Sequence, residues 1–111
     1  MVTNATERVD GLLETYLLAL AGLDQCPDSA PDVVRQRLEA NVEKAERAFA
    51  DANAGGLLRN GPAVETAFLK LGISNEKARQ GVRESRPIVA LVNDLEVATR
   101  AAIEMLGAAQ R

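Results

Sequence analysis

The side chains able to do chemistry in this chain are few, and their spacing assembles none of the usual catalytic devices. There is no histidine among the 111 residues. Neither a Ser-His-Asp nor a Cys-His arrangement can therefore be built, and no imidazole can ligate a metal. Cys26 is the single cysteine. It falls at the C-terminal end of a predicted helix, where the dipole opposes a thiolate, so it reads as a small packing residue. Lys44, Lys70 and Lys77 sit among other charges, away from the apolar surroundings that lower an ammonium pKa. Asp10, Asp24 and Asp94 border apolar stripes, where a partnered edge carboxylate is the ordinary arrangement. No glycine-rich phosphate cradle follows a strand, because no segment has the pattern of a strand. The expectation is a non-enzyme with no catalytic residues, no cofactor and no metal.

One stretch carries a different chemistry. Between Leu69 and Arg86 five bases meet two acids, the only local excess of positive charge. Within it, Leu71, Gly72, Ile73 and Ser74 form a run that resembles the turn of helix-turn-helix units. The resemblance covers residues 62–86. It implies a left-handed turn at Gly72, a cap at Ser74, and a second helix whose Ala78 and Val82 tuck inward. Asn75, Arg79, Gln80 and Arg83 would then face outward, with the two arginines able to meet phosphates or guanine edges. Three features depart from that pattern. Phe68 stands where the family usually has alanine, Gly81 interrupts the reading helix, and no basic arm or wing accompanies the motif. The same residues also serve a plain corner, one helix stop followed by one helix start. The corner is the preferred reading, and DNA binding is the alternative.

The elements that must position these residues are helical throughout. Alanine and leucine dominate the apolar 47 %, aromatics are 3 %, and tryptophan is absent, a palette for closely packed helices. Spacing predicts an all-α compact bundle of four to five helices in a single domain. They fall at about residues 4–25, 31–54, 62–71, 75–85 and 86–109, with the last two open to joining as one long kinked helix. Asn4 and Glu7 have the spacing of a capping box. Val9, Leu12, Leu13, Tyr16, Leu17, Leu20 and Leu23 then share one arc, predicted to be the buried one. Ser29 and Asp32 offer a cap for the second helix, which is wet on most of its girth and ends at the glycines of "NAGG". Pro62 suits a helix start, Gly72 a stop with Ile73 folding back, and Pro87 a break or kink.

The last helix is apolar on two sides. Ile88, Leu91, Val92, Leu95, Thr99, Ala102, Ile103 and Leu106 form its main face, and Ala90, Val97, Ala101 and Ala108 a second strip. A helix of that kind is either central in its bundle or shared with another chain. Opposite the leucine arc of the first helix, Gly11, Leu18 and Gly22 make a shallow face for a further helix. Those seven residues, Gly11, Leu18, Gly22, Ala90, Val97, Ala101 and Ala108, are the candidate partner interface.

The net charge of −3 is uneven. Residues 1–58 carry ten acids and five bases, and residues 59–111 carry eight bases and six acids. Chains that hold nucleic acid across a whole face are far more basic. The lone cysteine, the lack of a secretory pattern and a longest charge-free run of only Thr15 to Leu23 predict a cytoplasmic protein without a membrane span. The function expected is a helical protein–protein interaction module, an adaptor, chaperone or regulator that pairs with itself or another helical protein. The DNA-binding regulator follows, and a small-ligand-binding bundle or enzyme comes third.

Overall fold

A computed structural model describes residues 2–111, and among them the chain forms four α-helices with no strand. Helix α1 (Ala5–Asp24) starts as its sequence predicts. Asn4 Oδ1 accepts the Glu7 amide at 2.8 Å, and the Glu7 carboxylate accepts the Asn4 amide at 3.4 Å. Helix α2 (Asp32–Asp51) begins at Pro31 without a side-chain cap, so the predicted Ser29 cap is not formed. Asp32 in its first turn supplies negative charge to the dipole instead. Its end runs into one wide turn, Ala52–Gly56, that closes when Gly55 takes a φ of 106°. That backbone is open to glycine at no steric cost, which is why "NAGG" is a stop.

Helix α3 (Pro62–Arg83) overturns the predicted corner. It runs without interruption through Gly72, Ile73 and Ser74, where two helices separated by a turn were expected. The cause is a buried line that never breaks register: Val64, Ala67, Leu71, Asn75, Ala78 and Gly81 follow one another at steps of three and four. Gly72 lies on the outer side with nothing near it, and Ile73 points away from the core with 73 % of its surface exposed. The chain turns later. Ser85 adopts a left-handed φ of 51°, the Arg86 amide reaches back to the Gly81 carbonyl at 2.9 Å, and Pro87 follows. Helix α4 (Ile88–Ala109) is thus separate from α3 and packs back along it, so the long kinked helix does not exist.

Successive helices alternate in direction within a body of 44 × 23 × 17 Å. Both α1 and α4 touch all three other helices, whereas α2 and α3 do not meet. The connection between those two must therefore cross the end of the bundle diagonally. There Leu57 is fully buried, and Arg8, only 2 % exposed, ties the crossing down. Its guanidinium donates to the Leu57 carbonyl at 2.8 Å and to the Thr3 carbonyl at 2.5 Å.

Two apolar clusters fill the interior. One centres on Leu12, Leu71, Met105 and Leu106, the other on Leu18, Leu38, Leu91 and Leu95. Between them lies a polar layer of Thr15, Asn75, Asn41 and Thr99, each at most 4 % exposed. Thr15 Oγ1 is 2.8 Å from Asn75 Oδ1, and Asn75 Nδ2 donates to the Gly11 carbonyl at 3.0 Å.

Candidate interaction surface

The predicted interface residues part company in the fold. Gly11, Leu18 and Gly22 are interior or half-buried, not a free face. A Cβ on Gly11 would lie 3.1 Å from Leu71 of α3, and one on Gly22 would overlap the Leu95 side chain of α4. Leu18 is 9 % exposed. Gly11 and Gly22 are small because α3 and α4 approach α1 there, and part of the predicted leucine arc is displaced to the margin. Leu17 and Leu20 consequently stand 54 % and 38 % exposed. Tyr16 covers the flank towards α2, where its hydroxyl donates to Glu46 at 3.0 Å and its ring stacks on Phe49. That hydrogen bond, with the Glu46 charge beside it, raises the phenol pKa above its ordinary value.

The second strip of α4 divides in two. Ala101 is 8 % exposed and Ala108 packs against the core, both covered by the protein's own helices. Ala90 and Val97 are open to solvent. Lys77 Nζ lies 3.6 Å from Asp94 Oδ1, which fixes the register of the antiparallel pair α3 and α4. One turn along from that contact, Ile73 and Val97 stand at the same level, and Leu69 follows one turn further. Their exposures are 73 %, 47 % and 68 %. Around Leu69 and Ile73 on α3 lie Lys70, Glu76 and Lys77, exposed charges of both signs. Sequence reasoning missed Leu69 and Ile73 because the supposed turn gave Ile73 an inward role.

The residues predicted to meet DNA are likewise split. Asn75 is 2 % exposed and spent on α1. Arg79 is held by Glu14 of α1 and by Glu76. Gln80 and Arg83 remain on the surface, but the turn that would set a reading helix apart is absent. Comparison with protein-family models, curated proteins and solved structures finds no match to this chain.

No group of three or more Cys, Asp and Glu side chains among the described residues is placed to hold a metal ion. Cys26 is buried, with its Sγ 3.8 Å from the Pro27 carbonyl. No helix among the described residues is long and apolar enough to cross a membrane.

Proposed function

We propose that this protein is a non-enzymatic helical interaction module that pairs with a second copy of itself through the outer face of α3 and α4. The observation that carries the reading is the exposure of Leu69 and Ile73, one turn apart on α3, and of Val97 at the level of Ile73 on the neighbouring α4, three large apolar side chains open to solvent. Isolated exposed leucines are common on soluble proteins, but a group shared by two packed helices is the usual mark of a contact surface. Gly72, next to Ile73 on the outer side of α3, adds no bulk to the approach of another helix. The mixed charges around Leu69 and Ile73 favour self-pairing, since cations and anions of the two copies can meet. The α1/α2 side suits self-pairing poorly, because Glu39, Glu43 and Glu46 would face their own kind. An adaptor, assembly chaperone or regulator would use such a paired platform.

Sedimentation velocity of the wild type and of Ile73→Glu tests the reading. The wild type is expected to sediment as a dimer at tens of micromolar. Burying one isoleucine contributes about 1.5–3 kcal/mol, so placing a charge there weakens pairing by at least about tenfold. The variant should keep its helical circular dichroism, because Ile73 is outside the core. A monomeric wild type, or a variant that pairs as well as the wild type, contradicts the proposal.

A further inference from the structure

The opposite flank of α4 holds a second site, independent of the docking face. There α2 and α4 enclose a cleft of about 410 Å³, within the size range of small-ligand pockets. Asn41 and Thr99 line it, 4 % and 2 % exposed, and neither Asn41 Nδ2 nor Thr99 Oγ1 has a hydrogen-bond partner in the protein. Buried polar groups are normally paired, and in the same layer both the oxygen and the nitrogen of the Asn75 amide have a partner. Asn41 and Thr99 are thus the members of the layer left without a partner from the protein itself, and both belong to this cleft.

The charges around the cleft define what it would take. Arg37 is already spent, with Nη2 2.5 Å from Glu96 Oε1 and 2.9 Å from Asn93 Oδ1. Lys44 and Arg100 line the cleft and form no ion pair among the described residues. Glu104, one helical turn beyond Arg100, also lines it. Two unpaired cations against one anion leave a single positive charge, the complement of a monoanion and not of a doubly charged phosphate. Ala40 and the half-exposed Ile103 supply an apolar wall. We propose that this cleft binds a small organic carboxylate with a short hydrocarbon body. The carboxylate oxygens accept from Lys44 and Arg100, and the hydrocarbon lies along Ile103.

Nuclear magnetic resonance titration of the full chain with hexanoate tests the assignment, with hexylamine and inorganic phosphate as comparison probes. Hexanoate should shift the Asn41 side-chain amide and the Ile103 methyl resonances to saturation. Hexylamine should leave them in place, and inorganic phosphate should bind more weakly than hexanoate for want of a hydrocarbon. The doubly substituted Lys44→Gln, Arg100→Gln protein, altered only at exposed positions, should bind hexanoate at least about tenfold more weakly. Shifts that never saturate overturn the proposal. So do equal responses to hexylamine, phosphate that binds as tightly as hexanoate, and a charge-substituted protein that binds unchanged.

Discussion

At the scale of single residues, Arg8 is a fully buried cation with no place in a pattern-based core. It is buried because the diagonal crossing ends the bundle with backbone carbonyls that need donors, and Arg8 reaches both Leu57 and Thr3. Arg8→Met should cost about 3 kcal/mol, since buried carbonyls lose charged donors, and urea denaturation would measure it. Beside it, Glu65 accepts hydrogen bonds from the Thr3 hydroxyl at 2.5 Å and from Asn60 at 2.8 Å. These bonds, the Thr3 hydroxyl first, hold its carboxyl below the usual carboxylate range. A depressed folded-state pKa means that Glu65 adds stability above the ordinary pKa of 4.5 and loses it as pH falls through the lower folded value. Acid unfolding of Glu65→Gln should accordingly be shallower than that of the wild type across this window. Neither residue was legible from spacing, because a charge beside an apolar stripe is read as facing water. Asn41 and Asn75 escaped for the same reason, because polar type alone does not reveal which helix will be packed against it, whereas Thr99 was placed on the main face of its helix and is buried there.

At the scale of elements, the starts and stops that use a special backbone were legible, and those that merely use a permissive residue were not. The Asn4 capping box, Pro62 at a helix start and the glycine stop after α2 all stand in the fold. Gly72 misled because glycine permits a left-handed turn without requiring one. The described residues take a positive φ only at Gly55 and Ser85. A helix whose buried line continues unbroken overrides a local stop signal, and α3 is such a helix. Two substitutions separate these cases. Gly72→Ala should stabilise the protein by about 0.5–1 kcal/mol, because Gly72 is mid-helix with open space at its Cβ position. A left-handed turn there would make the same change destabilising. Gly22→Ala should instead destabilise by about 1–3 kcal/mol, since the new methyl overlaps Leu95, itself 1 % exposed and locked among core neighbours. Thermal melts of the pair report both signs in one experiment.

At the scale of the whole molecule, helical class and the centrality of α4 were readable from composition and from hydrocarbon on two sides of one helix. Which surfaces stay free was not. That depends on the phase of each helix about its axis, set by three-way packing and not by the width of an apolar arc. On α1 the buried line runs through Leu12, Thr15, Leu18, Ala19 and Gly22, which leaves Leu17 and Leu20 at the rim. On α4 half of the second strip was absorbed by α3, and the exposed remainder joined Leu69 and Ile73 to make a new face. That face supports the proposed pairing, and the cleft on the other side of α4 leaves room for a ligand at the same time. The most direct measurement is an isotope-filtered nuclear Overhauser experiment on a mixture of carbon-13-labelled and unlabelled chains. Contacts between copies are expected from the methyl groups of Ile73, Leu69 and Val97. No contact between copies at any methyl, or contacts confined to Leu17 and Leu20, would contradict the account.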